Sequence, residues 1–297
     1  GNLVGLIEYY IDEKSLEKEF LELEKFYREF SCAKCKDCIE EEILYLYLHG
    51  RFNKNRGDIK GGLDYLNRMI YIAEDKGYYE YAYNGYLQLA HYYVNTNNLA
   101  MMEKVINRAE DVSNILNDMC KNAIVWRLKG YFNMLSGNYK EGEEYIYKAL
   151  RVFDTFENRE KYILNIVACE FYLGESYRLQ KVYEDALNHY FKSLRLCDDN
   201  EDCPAAALIF SKIGYVKYEQ GIIDEAQFYY LKSLKAYDNT IFAWGRSEVY
   251  YYLYSIYAAK DMMEKANGYL EEGLKYLDRY TSEDMKNKIY KILNSQK

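Results

Sequence analysis

The chain has 297 residues, of which 49% are hydrophobic and 29% charged, a balance typical of a folded protein. Its formal net charge of -8 disfavours binding to nucleic acid and to anionic membranes. No apolar run reaches the roughly 18 to 20 residues needed to span a bilayer and no secretion signal opens the chain, so we expect a cytoplasmic protein.

The first 39 residues are predicted to cover the end of the fold and not to take part in its repeats. Leu16, Phe20 and Leu23 follow at spacings of three and four, which indicates an amphipathic helix that Ser15 can cap. A loop rich in cysteine and lysine follows at 31–37, and three consecutive glutamates then open the next helix. Residues 1–39 are therefore expected to form an N-terminal capping helix and a loop.

Residues 40–280 repeat one spacing of mostly small residues. The first lies in one helix (position 0), the second twelve residues later, beyond a turn (position 12), and the third seven residues after that (position 19). The six sets are Gly50, Gly62 and Met69; Ala90, Met102 and Ala109; Gly130, Gly142 and Ala149; Gly174, Ala186 and Ser193; Gly214, Ala226 and Ser233; and Tyr254, Ala266 and Gly273.

This template predicts an all-α fold, because small residues let two antiparallel helices approach closely. Successive sets are offset by 40, 40, 44, 40 and 40 residues, which predicts an α-solenoid of about six helix pairs. Gly57, Gly137 and Gly221 stand at position 7, where a tight turn requires a positive φ. Residues 281–297 are expected to form a C-terminal capping helix.

The repeat resembles the tetratricopeptide repeat (TPR). The residues that carry this resemblance are Gly174, Tyr177, Tyr183, Ala186, Tyr190 and Ser193, then Gly214, Ala226, Tyr230 and Ser233, with Trp126 where that family favours tryptophan. The period is near 40 instead of 34, the closing proline is absent, and Met102 and Tyr254 occupy slots normally held by small residues.

Elongated repeats of this kind are similar to the sensor domains of Gram-positive peptide-pheromone regulators (the Rap, NprR, PlcR and PrgX group) and of other TPR-bearing bacterial transcription regulators. The resemblance implies a right-handed superhelix, a peptide or protein segment bound in its concave groove, and a DNA-binding domain upstream of Gly1. A constitutive interaction scaffold and a Rap-like phosphatase are the alternatives.

In the TPR family the first helix of each pair lines the groove, so residues beside its small position are predicted to face the ligand. These residues are Tyr47, Arg51, Lys54, Asn84, Leu87, His91, Arg127, Tyr131, Phe171, Glu175, Arg178, Ser211, Tyr215, Tyr218 and Tyr251. Aromatic rings and arginines dominate the set, and both residue types anchor interfaces. Arg51, Arg127 and Arg178 would bind carboxylate or carbonyl groups.

Catalytic and metal-binding signals are weak. Cys32, Cys35 and Cys38 could supply three thiolates to a metal, but the nearby sequence offers no fourth ligand, and free thiols are the default expectation for all seven cysteines. The three histidines fall in different repeats, and no phosphate-binding or nucleophile motif is present. We therefore expect neither an enzyme nor a cofactor.

The oligomeric state is left open by an aromatic run near the end of the chain. Tyr250, Tyr251, Tyr252, Tyr254 and Tyr257 could pack on a second chain in a homodimer, and a tightly filled last repeat would explain them equally well.

Overall fold

The computed structural model describes residues 39–56, 59–95, 98–155, 159–198, 205–238, 245–277 and 283–295. Their secondary structure is helical. The helices are α1 (Ile39–Arg56), α2 (Ile59–Asp75), α3 (Tyr79–Asn95), α4 (Leu99–Leu116), α5 (Met119–Leu135), α6 (Tyr139–Asp154), a 3-10 helix (Arg159–Tyr162), α7 (Ile163–Leu179), α8 (Tyr183–Asp198), α9 (Ala206–Glu219), α10 (Ile223–Tyr237), α11 (Arg246–Ala259), α12 (Met263–Leu274) and α13 (Glu283–Ser295).

The chain forms two compact units, one of residues 1–132 and one of residues 133–297. In the first unit, α1 packs against α2 and α3, and α3 packs against α4. In the second unit each helix from α6 to α11 packs against the next one along the chain. Helix α13 buries Met285 and Ile289 in the core that α10, α11 and α12 share. The expected boundaries at 39/40 and 280/281 stay predictions.

The template positions are buried, as the spacing predicts. The residues at positions 12 and 19 of all six repeats are buried, and so are five of the six at position 0. The exception is Tyr254, which is half-buried and packs against the core of the last two helix pairs. Five of the six predicted helix pairs pack against each other directly, namely α1 with α2, α3 with α4, α7 with α8, α9 with α10, and α11 with α12.

In three repeats the glycine at position 0, namely Gly50, Gly174 or Gly214, faces a large buried residue at position 16, a regularity that the sequence template did not include. The residues at position 16 are Leu66, Ile106, Ile146, Tyr190, Tyr230 and Leu270. A Cβ atom added to Gly174 would lie 2.6 Å from the Tyr190 ring, and one added to Gly214 would lie 2.9 Å from the Tyr230 ring. These glycines are needed because the facing rings occupy the space of a side chain.

Two serines at position 19 make the same hydrogen bond in successive repeats. The Ser193 hydroxyl donates to the carbonyl of Val167 at 2.8 Å, and the Ser233 hydroxyl donates to the carbonyl of Ala207 at 2.7 Å. Both serines are fully buried. The bond ties the second helix to the start of the first and satisfies a buried hydroxyl, which would otherwise be destabilising.

The turn at position 7 adopts a left-handed backbone whether or not the residue is glycine. Gly137 has a φ of 85° and Gly221 one of 76°, as predicted, whereas Gly57 lies outside the described residues. In the fourth and sixth repeats Lys181 has a φ of 61° and Asp261 one of 58°. The turn geometry is thus imposed by the packing of the helix pair, and two side chains adopt it at some strain.

Within the described residues, no helix is both long enough and apolar enough to cross a membrane.

Candidate functional site

The second unit brings five of the predicted groove residues together on α7 and α9. Phe171, Glu175 and Arg178 lie on one face of α7, and Tyr215 and Tyr218 lie at the corresponding place on α9. Glu175 directly follows Gly174, the residue at position 0, so its side chain lies beside the close contact between α7 and α8. This set is the centre of the candidate site.

Glu175 and Arg178 form a two-point ion pair. Nε of Arg178 donates to Oε1 of Glu175 at 2.9 Å, and Nη2 donates to Oε2, also at 2.9 Å. The Glu175 side chain is 8% exposed and that of Arg178 is 17% exposed. A carboxylate and a guanidinium that meet in this parallel geometry form one of the stronger polar contacts in proteins.

Tyr190 of α8 adds a third member to this buried network. Its hydroxyl donates a short hydrogen bond to Oε1 of Glu175. Burial alone would raise the pKa of Glu175, but the charges of Arg178 and Lys212 offset it and lower this pKa to about 2. Burial and the neighbouring carboxylate together raise the pKa of the Tyr190 hydroxyl well above its usual value. Glu175 is therefore ionised and Tyr190 is neutral near pH 7.

Aromatic rings extend the site from Arg178 toward α11. The guanidinium of Arg178 lies 5.3 Å from the centre of the Tyr215 ring, within cation–π range. The ring centres of Tyr215 and Tyr218 lie 5.7 Å and 5.2 Å from that of Tyr252. The Tyr252 ring also stacks on Tyr230 at 5.3 Å with an interplanar angle of 3°.

Tyr230 is the counterpart of Tyr190 in the next repeat, but its hydroxyl lacks the counterpart of Glu175. The template position that Glu175 occupies in the fourth repeat is held by Tyr215 in the fifth. The Tyr230 side chain is fully buried, and its hydroxyl oxygen makes no hydrogen bond to the part of the chain that the structure describes. Burial raises the pKa of this hydroxyl well above its usual value, so Tyr230 keeps its proton and remains a donor.

The predicted groove residues of the first unit differ widely in exposure. Tyr47 and Arg127 are buried, with exposed fractions of 3% and 7%, whereas His91 is exposed. The guanidinium of Arg51 lies 5.4 Å from the centre of the Tyr47 ring. Asn84 and Tyr131 are half-buried. No ligand contact tests these assignments, and the groove in this unit stays a prediction.

In the second unit, Tyr251 is half-buried against the core, and its ring centre lies 5.3 Å from that of Tyr252. Sequence reasoning missed four members of the site: Tyr190, Lys212, Tyr230 and Tyr252. Tyr252 could have been found from the aromatic run near the end of the chain, because that run supplies the ring that stacks on Tyr230.

The described helices contain no candidate metal site. No group of three or more His, Cys, Asp or Glu side chains in them could hold a metal ion. The candidate ligands Cys32, Cys35 and Cys38 lie outside the described residues. Cys120 and Cys169 are buried and form no disulfide, as expected, whereas Cys197 is disulfide-bonded, so the expectation of thiols throughout is wrong.

The fold is that of solved helical-repeat regulators. A Rap protein complexed with competence and sporulation factor matches with a TM-score of 0.67 and 17% identity over 93% of this chain and 80% of that one. NprR in complex with its cognate peptide NprX matches with a TM-score of 0.65 and 17% identity, covering 99% and 91% of the two chains. Aspartyl phosphate phosphatase F from Bacillus subtilis matches with a TM-score of 0.57 and 15% identity, covering 97% and 85%.

The matches define the fold class as an all-α, TPR-like solenoid, which confirms the class that the repeat spacing predicts. More narrowly, the fold is the one found in Rap and NprR, as the elongated period suggests. No protein-family model matches the sequence, and no curated protein matches it.

Proposed function

We propose that this chain is the peptide-sensing module of a bacterial regulator and that it binds an extended peptide on the first helix of successive helix pairs. The observation that carries the proposal is the cluster on α7, α9 and α11, where an ion pair adjoins a set of tyrosine rings. Aromatic rings provide large, rigid contact area, and Arg178 combines a positive charge with a planar face. Two fold neighbours, a Rap protein complexed with competence and sporulation factor and NprR in complex with its cognate peptide NprX, support this proposal.

The cluster suggests which part of a peptide each group would contact. Tyr215 and Tyr218 are half-buried, so their rings present apolar surface to a ligand side chain and keep a hydroxyl for hydrogen bonding. Two donors of Arg178 already serve Glu175. Arg178 therefore positions the rings and contributes a compensated charge, which differs from the carboxylate clamp that the sequence suggested.

Binding would act by population shift. A ligand that favours one arrangement of the helix pairs stabilises that arrangement and so changes the surface offered to other domains or partners. A DNA-binding domain elsewhere in the protein, a cytoplasmic location and a homodimer are compatible with this role and stay predictions.

The test is direct binding of short peptides. A pool of linear peptides of five to seven residues would be passed over the immobilised chain, and calorimetry would give the affinity of each retained sequence. We expect Tyr215→Ala and Tyr218→Ala each to weaken binding about tenfold or more, because each removes a ring from the cluster. Phe228→Ala, an exposed ring on the second helix α10, is the matched control.

Equal affinity for the wild type and both tyrosine variants would refute the groove assignment. So would an equal loss from the control. If no peptide in the pool binds, the result would favour the scaffold alternative, in which the chain binds larger partner proteins and senses no peptide.

A second candidate function is hydrolysis of an aspartyl phosphate, favoured by the fold match to aspartyl phosphate phosphatase F. Loss of labelled phosphate from phosphorylated receiver proteins, with and without the chain, would test it. Glu175 would not be the base in such a reaction, because its carboxylate is buried and held by Arg178 and Tyr190.

A further inference from the structure

Three consecutive second helices of the second unit carry cations at the same two template positions. Lys148, Lys192 and Lys232 stand at position 18, and Arg151, Arg195 and Lys235 stand at position 21. All six side chains are exposed. We call this set the cationic band; it lies on α6, α8 and α10, and the candidate peptide site lies on α7, α9 and α11.

Helix electrostatics explain only half of the band. The cations at position 21 lie in the last turn of their helices, where the macrodipole favours positive charge. The lysines at position 18 lie before the last turn, where that effect has fallen off. Their alignment in a chain with a net charge of -8 therefore needs another reason.

The acidic end of α10 is neutralised by two ion pairs. In α10, Asp224 is paired with Lys260 at 3.0 Å and Glu225 with Lys217 at 2.8 Å. The cationic end of the same helix projects into solvent. On α10, the charge that stays exposed without a described salt bridge is therefore the positive charge of the cationic band.

Aromatic surface accompanies the cations. Phe228 is 51% exposed, and the Lys232 ammonium lies 4.8 Å from the centre of its ring. The Tyr229 ring lies between Phe191 of α8, at 6.2 Å, and Phe210 of α9, at 6.3 Å. A set of aromatic side chains, exposed at Phe228 and half-buried at Phe191, Phe210 and Tyr229, therefore runs from α8 across α9 to α10 beside the cations, and we call it the aromatic strip.

The same combination recurs as a cavity in two successive repeats. A cavity of about 770 Å³ lies against α6, and a second cavity of about 580 Å³ lies against α8. The two cavities are lined by residues at the same seven template positions. At position 17 the lining residue is Tyr147 in α6 and Phe191 in α8, and at position 18 it is Lys148 and Lys192. Each repeat thus offers an aromatic ring beside a cation at the same height on the helix.

We propose that the cationic band and its aromatic strip dock an acidic amphipathic segment of a partner protein. Such a segment would place apolar side chains on the strip and carboxylates against the lysines and arginines. Charge complementarity selects this occupant. Nucleic acid fits less well, because it offers no continuous apolar face to the strip and carries a charge on every nucleotide against a chain with a net charge of -8.

The probe is a fluorescein-labelled helical peptide of about 18 residues with glutamates on one face and leucine and phenylalanine on the other. A scrambled peptide of equal composition and a single-stranded DNA of equal charge serve as comparisons. Anisotropy with the full chain at low salt should show saturable binding of the amphipathic peptide, weakening as salt is raised.

The informative variant is Lys148→Glu/Lys192→Glu/Lys232→Glu. We expect it to weaken peptide binding at least about tenfold, because three attractions become repulsions. The matched control, Lys140→Glu/Lys265→Glu/Lys291→Glu, makes the same change in net charge at exposed lysines away from the band and should change affinity less than about twofold. A variant with Gln at the same three positions removes the charges without adding repulsion, so we expect an intermediate loss of affinity. This variant guards against a folding defect caused by the Lys→Glu changes.

Three results would overturn the proposal: no saturable binding of the amphipathic peptide, equal binding of the scrambled peptide, or equal losses in the band variant and its control. Tighter binding of the DNA than of the peptide would also overturn it and would assign the band to a polyanion. Tyr218→Ala should leave this binding unchanged, which separates it from the peptide site of the proposed function.

Discussion

The same substitution at equivalent positions of two repeats is expected to change stability in opposite directions. Tyr190 and Tyr230 both stand at position 16 and are both fully buried. The Tyr190 hydroxyl donates to the ionised Glu175, whereas the Tyr230 hydroxyl oxygen makes no hydrogen bond to the described residues. Tyr→Phe removes one hydroxyl in each case and preserves the ring.

The magnitudes follow from what each hydroxyl does. A hydrogen bond to a charged group contributes about 1.5 to 3 kcal/mol, so Tyr190→Phe should destabilise the protein by about 2 kcal/mol. A buried hydroxyl without a partner is destabilising by about 1 to 3 kcal/mol, so Tyr230→Phe should stabilise it by about 1 kcal/mol. The difference of about 3 kcal/mol exceeds the usual error of an extrapolated unfolding free energy.

Urea titrations monitored by circular dichroism would measure both variants against the wild type. Because repeat arrays can lose cooperativity, the comparison should use the transition of the second unit, followed by tyrosine fluorescence as well. Shifts of the same sign in the two variants would refute the assignment of the buried network. A destabilising Tyr230→Phe would show that this hydroxyl has a partner.

Three further outcomes are expected. Gly174→Ala should destabilise the protein by about 1 to 3 kcal/mol in chemical denaturation, because its Cβ would lie 2.6 Å from the Tyr190 ring, whereas Gly268→Ala, with open space around it, should stabilise by up to about 1 kcal/mol. Lys181→Gly should raise the unfolding free energy by roughly 0.5 to 1 kcal/mol, because its φ of 61° strains a side chain; no change would refute that strain. The pKa of Glu175 falls from its usual 4.5 to about 2 on folding, so its contribution of about 3 kcal/mol should be complete above pH 4.5 and lost between pH 4.5 and 2. Glu175→Gln should lose this pH dependence; a parallel pH profile would contradict the assignment.

The period of the small residues predicts the fold well because it reports a steric condition that recurs in each repeat. Gly174 and Gly214 are glycines because a tyrosine ring faces each one, and sequence spacing alone reveals such a condition. The spacing did not predict the turn at position 7 in two repeats, where a residue other than glycine adopts the positive φ. Lys181 and Asp261 adopt the turn that glycine makes elsewhere, and no residue type marks that in advance.

The candidate site was only partly predictable, because its contacts cross between repeats. The positions of Glu175 and Arg178 on one helix face follow from their spacing, but the hydrogen bond from Tyr190 depends on how closely α8 approaches α7. The stacking of Tyr252 on Tyr230 depends in turn on the packing of α11 against α10. These distances are set by packing, and a single sequence does not report them.

Copying the Glu175–Arg178 pair into the next repeat would test whether the two repeats hold their side chains in the same geometry. Tyr215 and Tyr218 hold the template positions that Glu175 and Arg178 hold one repeat earlier. Tyr215→Glu alone should destabilise the protein, because it buries an uncompensated carboxylate beside the Tyr230 hydroxyl. Tyr215→Glu with Tyr218→Arg should recover much of that loss, because the copied pair supplies the ion pair and gives Tyr230 an acceptor. A double-mutant cycle on unfolding free energies measures the coupling, and a coupling near zero would mean that the two repeats do not share one frame. A stable double variant that no longer binds peptides would place specificity in these two rings.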